Sequence, residues 1–249
     1  MIRLLLAATS LLALSQASFA ADGDPFYGYA YDLQTGKYLY TEVHQPKFEG
    51  GKEISSLIRY FTPEGTLIGK KPLDYRSNYF VPTFRFDLLR EGYTEGISSN
   101  KGSIEMFKVA GKGKEEKRAT VEVDGVTAAD SGFNHLVQSV LPKVMAGETV
   151  PFHFAVAGEL TSFKFRIKKV GDGSFEGKPA VKLLVQADSL LRFVAPDLQL
   201  LYDAASKHLL EYKGVSNVHD PVSGKAYLAR IAYFSTPPAD APKNLPPFN

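Results

Sequence analysis

Phe163-Lys164-Phe165-Arg166-Ile167-Lys168 decides the fold class, because apolar and cationic side chains alternate through this stretch without a break. Successive side chains of a β-strand point to opposite faces of the sheet. The stretch therefore predicts a strand with Phe163, Phe165 and Ile167 on an apolar face and the three cations on a wet face.

The same period of two recurs along the chain between turn signals. Residues 32–36 precede an alternating run at 38–43, and Thr62-Pro63-Glu64-Gly65 separates two further runs. Proline followed by glycine is an order that β-turns favour. More such runs occur at residues 104–109, 181–187, 198–202, 209–212 and 227–233. Strands at this spacing predict a large curved antiparallel sheet, either a half-barrel or an open barrel.

One segment has a helical rather than a β period. Apolar residues recur at helical spacing at Phe133, Leu136, Val137, Val140, Leu141 and Val144. Asp130 is the expected helix N-cap, and Pro142 is expected to end or kink the helix near Leu141. The sequence thus predicts a mainly β protein with one helix packed across the concave face of the sheet, held by Phe133 and Leu136.

The two ends of the chain differ from its middle. Arg3, the apolar residues 4–14 and Ser18-Phe19-Ala20 have the pattern of a cleavable signal peptide over residues 1–20. We expect export to the periplasm of a Gram-negative bacterium, with a retained membrane anchor as the alternative. No later run reaches the roughly 18 apolar residues of a membrane span. Residues 21–235 are predicted to form a single β-rich domain, and the proline-rich residues 236–249 a flexible tail.

The composition excludes several classes of protein. The 249 residues include no cysteine, which excludes disulfides, thiol catalysis, iron–sulfur clusters and cysteine-based zinc sites. The net charge of +2 argues against nucleic-acid binding. No nucleophile elbow, zincin or nucleotide-binding motif occurs, and no two of the five histidines have a metal-ligand spacing. We predict no catalytic residue, no cofactor and no metal.

Two groups of residues are candidates for ligand binding. Aromatic side chains crowd the proline-containing residues 74–87, where they could rim an apolar pocket or fold back on the core. The cations of the 163–168 strand could meet an anionic head group, or simply keep that face of the strand solvated. Together with one helix residue, the candidate ligand-binding residues are Tyr75, Tyr79, Phe80, Phe84, Phe133, Lys164, Arg166 and Lys168.

The run Ala129-Asp130-Ser131-Gly132-Phe133-Asn134-His135-Leu136-Val137, with residues 141–150, resembles a group of uncharacterised exported proteins of gammaproteobacteria. Segments 73–75, 92–96 and 209–217 share this resemblance, which covers most of the mature chain and implies no activity and no site residue. The series of strands with one covering helix is also similar in architecture to the half-barrels of periplasmic lipoprotein carriers. Architecture alone does not establish function.

Three functions are compatible with the sequence. The first is a non-catalytic periplasmic protein that binds an apolar or amphiphilic, lipid-like ligand or an envelope protein. The second is a hydrolase of envelope polymers that uses carboxylates such as Glu91 and Glu95, or a His–Asp set assembled by folding. The third is a scaffold that pairs with a partner through a sheet edge. The enzyme hypothesis requires titratable groups from distant strands to converge in a cleft.

Overall fold

The structure is a computed structural model that describes residues 21–122, 125–188 and 196–245. The predicted signal peptide and the last four residues of the predicted tail lie outside these ranges. The described residues confirm the mainly β prediction: they form one large, open sheet and a single α-helix, α1 (Gly132–Met145).

The first half of the chain is a meander in which each strand from β2 onward pairs antiparallel with the next. Its strands are β1 (Ala21–Asp22), β2 (Phe26–Asp32), β3 (Tyr38–Glu49), β4 (Lys52–Phe61), β5 (Leu67–Asp74), β6 (Thr83–Leu88), β7 (Tyr93–Ser99), β8 (Ser103–Ala110) and β9 (Glu116–Glu122). The short β1 pairs with β3.

The second half is a second meander, joined to the first by one strand pair. Its strands are β10 (Thr127–Ala129), β11 (Val150–Val156), β12 (Thr161–Phe175), β13 (Lys178–Ala187), β14 (Leu198–Asp203), β15 (Leu209–His219) and β16 (Ala226–Ala232). β10 and β11 pair parallel across α1, whereas β16 pairs antiparallel with β2. The spatial order therefore runs from β10 to β16 and then from β2 to β9, which leaves β10 and β9 as the two edges.

The predicted turns are confirmed, and local hydrogen bonds explain them. Asp32 accepts hydrogen bonds from the backbone N–H of Thr35 at 2.7 Å and from its hydroxyl at 2.8 Å. Gly36 has a φ of 70°, in the left-handed region that glycine adopts without strain. Asp203 forms the same kind of turn between β14 and β15, where it accepts from the N–H of Ser206 at 2.7 Å.

The buried side chains form two clusters. In one, the fully buried rings of Tyr40, Tyr60 and Phe86 lie among strands of the first meander, with neighbours from β15 and β16. In the other, α1 packs against β11–β14 through Leu136, Val137, Leu141 and Val144. Each such side chain contributes about 1.5–3 kcal/mol on full burial, which fixes the helix to the second meander.

The start and end of α1 differ from the sequence prediction. The N-cap is Ser131, which makes no side-chain capping bond, so the prediction of Asp130 as the N-cap is wrong. Asp130 instead has a φ of 43° and forms a buried ion pair with Lys71 on β5. Pro142 lies inside the helix, which continues to Met145 rather than ending near Leu141.

The aromatic connection predicted at residues 74–87 is wrong in its second part, because β6 begins at Thr83. Phe84 and Phe86 alternate on that strand with Arg85, and both face the core with exposures of 6% and 0%. Tyr75 directly follows β5 and is also buried, at 3%. Tyr79 and Phe80 lie between the two strands and are half-buried.

After β16, the described residues 233–245 contain no strand. They contact the sheet, since the Tyr31 hydroxyl donates to Asp240 at 3.2 Å. None of the helical segments within the described ranges combines the length and the apolar character that a membrane crossing requires.

Candidate functional site

An open apolar depression lies where α1 meets the second meander. Its cavity volume is only about 10 Å³, and its exposed lining is entirely apolar. The lining comes from α1 and from four neighbouring strands: Phe133, Phe152, Phe154, Phe165, Val185 and Leu198. The period of two explains this convergence, because Phe152 and Phe165 are paired across β11 and β12 and point to the same face.

The four phenylalanine rings of the depression contact one another. Phe133 stacks on Phe152 at 5.5 Å between ring centroids and meets Phe154 edge-on at 5.4 Å. Phe165 lies 5.9 Å from Phe152 and 6.2 Å from Phe154. Phe152 is buried, whereas the other three rings are only half-buried. The depression thus presents aromatic surface to solvent on a rigid strand scaffold.

The predicted cations lie on the opposite face of the sheet from this depression. Lys164, Arg166 and Lys168 alternate along β12 with Phe165 and Ile167, which face α1. Arg166 lies 3.5 Å from the carboxylate of Asp188. Within the described ranges, Lys164 and Lys168 form no ion pair. The sheet therefore separates the predicted head-group cations from the apolar surface.

The predicted aromatic residues near β5 hold α1 in place instead of lining the depression. Tyr79 stacks on His135 of α1 at 3.9 Å, and Tyr75 meets the same imidazole edge-on at 4.8 Å. His135 Nε2 is 3.3 Å from Glu53 Oε2 but outside hydrogen-bonding geometry. Of the predicted ligand-binding residues, only Phe133 lines the depression.

A second group of side chains, here called the buried polar cluster, consists of Lys71, Glu95, Asp130 and Asn217. Lys71 Nζ lies 2.7 Å from Asp130 Oδ1 and 2.9 Å from Oδ2, and both side chains are under 5% exposed. The exposed residue Asn217 covers them, with its Oδ1 3.4 Å from Lys71 Nζ and its Nδ2 3.3 Å from Glu95 Oε1. Residues from β5, β7, β15 and the segment before α1 thus meet at one point.

Glu95 is the titratable group whose proton affinity this environment changes. Burial raises the pKa of the Glu95 carboxyl, and the nearby charge of Asp130 raises it further. The Tyr93 hydroxyl donates to Glu95 Oε2 at 2.5 Å and opposes this rise. Gly158 packs directly on the carboxyl, since a Cβ there would lie 2.3 Å from Glu95 Oε2.

The other carboxylates of the enzyme hypothesis do not join this cluster. Glu91 lies in the turn between β6 and β7 and is half-buried. Asp220 accepts the backbone N–H of Val222 at 2.8 Å, as a turn residue does, while His219 packs edge-on against Tyr93. Across the described part of the chain, no three His, Asp or Glu side chains are arranged to hold a metal ion.

Sequence reasoning missed several residues of both sites, although two patterns could have identified them. Phe152 and Phe154 flank His153 with the same period of two that predicts β12. Lys71 shares the inward parity of Gly69 and Leu73 on β5, which marks it as a cation directed into the core. The sequence carries no signal that Asp130 is its partner, because 59 residues separate them.

The comparisons with known proteins are few. No protein-family model and no curated protein matches this sequence. One solved structure is similar, a β-barrel-like protein of a domain of unknown function, DUF1849, from Brucella abortus. The TM-score is 0.48 at 7% identity, over 84% of this chain and 95% of that chain. Within its described residues, this chain is an open β-sheet with one α-helix.

Proposed function

We propose that this protein is a non-catalytic binding protein that holds the apolar part of an amphiphilic, lipid-like ligand. The observation that supports this proposal is the depression lined only by apolar side chains, with three half-buried phenylalanine rings. Covering exposed apolar surface of this kind with a ligand is favourable, by about 0.8 kcal/mol for each ligand methylene buried.

The size of the depression limits what it can hold. A site for a whole drug-sized ligand has about 300–1,000 Å³, whereas this depression has a cavity volume of about 10 Å³. We therefore propose that it is a shallow apolar surface that contacts the end of an acyl chain and does not enclose a complete amphiphile. Because Lys164, Arg166 and Lys168 lie on the other face, we propose that the head group stays in water and that selectivity is for the chain.

We place this function in the periplasm because residues 1–20 have the pattern of a signal peptide. An envelope protein with an apolar anchor would offer the depression the same apolar chemistry as a lipid. Fractionation of cells that express the full chain tests the location: recovery of a shortened protein in the periplasmic fraction supports it, and full-length protein in the cytosol contradicts it.

Ligand binding is tested by native mass spectrometry of protein purified from a periplasmic extract, together with uptake of a fluorescent fatty acid. Phe154→Ala is expected to weaken uptake about tenfold, a loss of about 1.4 kcal/mol. Phe26→Ala is the matched control, because Phe26 is 46% exposed but lies on β2 away from the depression. No bound lipid and no uptake, or an equal effect of both substitutions, would contradict the proposal.

A hydrolase is the second candidate, and the observation that favours it is the convergence of Glu95 with Lys71 and Asp130. We rank it second because Glu95 is only 7% exposed and lines neither the depression nor the polar hollow between the β2–β3 and β15–β16 turns. Release of soluble fragments from cell-envelope polymers by the wild type, and not by Glu95→Gln, would reverse this ranking.

A scaffold that pairs through a sheet edge is the least supported function. The longer edge strand, β9, exposes Glu116, Lys117 and Arg118 in succession. Charged side chains of this kind are a common means of preventing edge-to-edge pairing.

A further inference from the structure

The buried polar cluster has a feature that ligand binding does not require. Lys71 Nζ contacts both carboxylate oxygens of Asp130, and the two side chains are only 4% and 3% exposed. Three aromatic rings have their centroids 5.7–6.0 Å from Lys71 Nζ: those of Tyr60, Phe84 and Phe86. An amine and a carboxyl group are thus held together away from bulk water.

We propose that Lys71 and Asp130 become joined by an amide bond between Lys71 Nζ and the side-chain carboxyl carbon of Asp130. In the first step the Lys71 ammonium gives a proton to the Asp130 carboxylate. The neutral amine then adds to the carboxyl carbon, Oδ2 leaves with two protons as water, and Oδ1 remains as the amide oxygen. The reaction is redox-neutral and consumes no second substrate.

The distances place the amine of Lys71 within reach of the carboxyl carbon of Asp130. A nitrogen at 2.7 and 2.9 Å from the two oxygens lies close to the carbon between them. Reacting atoms in near-attack conformers are about 3–3.5 Å apart, and such placement corresponds to effective concentrations of about 10⁵–10⁸ M. This concentration offsets the preference for hydrolysis that a free amine and a free acid show in water.

Ser131 supplies hydrogen-bond donors where negative charge develops. Its backbone N–H donates to Asp130 Oδ1 at 2.7 Å and its hydroxyl donates to the same oxygen at 2.9 Å. Oδ1 is the oxygen that becomes an oxyanion when the amine adds to the carbon. Two donors fixed on that oxygen are the arrangement that stabilises tetrahedral intermediates of acyl transfer.

Glu95 extends the buried polar cluster on the far side of Asn217 from Lys71. An ion pair in an apolar site can lower its desolvation cost by transferring the proton, which leaves a neutral amine and a neutral acid. Burial raises the pKa of the Glu95 carboxyl, and the charge of Lys71 opposes that rise. A raised pKa shifts Glu95 towards its neutral form, which competes less with Asp130 for the ammonium of Lys71. Glu95 is therefore a positioning residue that acts through Asn217.

The bond would give this chain a covalent cross-link between residues that are distant in sequence. No cysteine is present, so no disulfide can form. The amide would connect β5 to the segment before α1, across 59 positions of sequence. Closing a loop of this length restricts the unfolded chain, as a disulfide does.

Intact-mass spectrometry of the denatured full chain tests the proposal. We expect a mass lower than that of the sequence by one water, and a branched peptide containing Lys71 and Asp130 after proteolysis. Lys71→Arg keeps the positive charge and should restore the full mass, whereas the matched control Lys70→Arg, at the exposed neighbouring position, should keep the loss. Glu95→Gln stays uncharged and should retain the bond, which separates its electrostatic role from a structural one.

Three results would overturn the proposal. The first is wild-type protein with the full sequence mass, and the second is a lost water that maps to a cyclic imide at one of the Asp-Gly pairs, such as Asp172-Gly173. The third is a loss that persists in a folded Lys71→Arg variant. If that variant does not fold, the peptide map of the wild type decides alone, because only the branched peptide supports the bond.

Discussion

Gly132, the first residue of α1, packs tightly against the loop between β5 and β6, and Gly132→Ala tests how α1 is fixed. A Cβ at this position would lie 2.2 Å from the carbonyl oxygen of Phe80 and 2.6 Å from Cδ of Pro82, against 3.4–4 Å for ordinary contact. Both neighbours belong to a loop that is tied to β10 by the bond from Ala129 N–H to Phe80 oxygen, at 2.9 Å. The helix and the loop must therefore separate by about an ångström.

The cost of this separation can be compared with the gain from alanine. Overpacking of a tight interface costs about 1–3 kcal/mol, and weakening of one backbone hydrogen bond adds about 1 kcal/mol. Alanine in place of glycine stabilises a helix by about 1 kcal/mol. The expected net loss is about 2 kcal/mol, or a fall of about 4–8 °C in Tm for a domain of this size.

Thermal and urea unfolding followed by circular dichroism would measure this loss. Ser139→Ala is the matched control, because Ser139 is exposed on the same helix and its hydroxyl donates within that helix, to the Leu136 oxygen at 2.7 Å. We expect this control to change Tm by less than about 2 °C, as an ordinary surface substitution does. If Gly132→Ala raises Tm as a simple gain in helix propensity would, the close docking of α1 on the loop is wrong.

Three further predictions concern stability. Burial raises the pKa of Glu95 above its usual 4.5, so between about 4.5 and the native pKa the folded protein keeps a proton that the unfolded chain loses. Stability contributed by this group therefore falls as pH rises through that range. The Tm of Glu95→Gln should increase relative to the wild type as pH rises from 4 to 7, and an equal difference in Tm at pH 4 would contradict this. Leu141→Ala, at 1% exposure, should cost about 2–5 kcal/mol in urea unfolding, whereas Met145→Ala, at 40% exposure on the same helix, should cost under about 1 kcal/mol. Tyr202→Phe removes a hydrogen bond of 2.8 Å to Asn134 and should cost about 1 kcal/mol; no change in calorimetric stability would show that water replaces that bond.

The sheet was predictable wherever local sequence determines local structure. The alternation of residues 163–168 predicts β12 and its two faces, because a side chain's face depends only on its position along the strand. The turn at Asp32 was predictable for the same reason, since its hydrogen bonds join residues three positions apart.

The residues that failed prediction are those with distant partners. Asp130 precedes a helix as an N-cap would, but Lys71 on β5 competes for its carboxylate and holds it in a left-handed conformation. Phe84 and Phe86 lie close to a proline in the sequence, which is typical of a loop. Pairing of β6 with β5 and β7 makes them strand residues. The parallel pairing of β10 with β11 depends on α1 as a crossover, which a period of two cannot reveal.

The candidate site was predictable only in part, because it combines one helix residue with residues from four strands. Phe133 was identified from its helical spacing and lines the depression. The cations of β12 were also identified, but the same alternation that predicts them places them on the far face from Phe165. The same alternation along residues 152–165 distinguishes the phenylalanines of the depression from the cations on the other face.

The pairing of β16 with β2 has a consequence for the connectivity of the chain. Ala30 pairs with Ile231, so strands at the two ends of the domain's sequence lie side by side in the middle of the sheet, while β9 and β10, consecutive in sequence, are its unpaired edges. Consider a circularly permuted chain that begins at residue 125 and joins β16 to β2 by a short linker. Its strands would follow one another in sequence in the order in which they lie in the sheet. The pair of β16 with β2, which is long-range in the native chain, would become local, so this permutant should fold faster than the native connectivity at nearly equal stability.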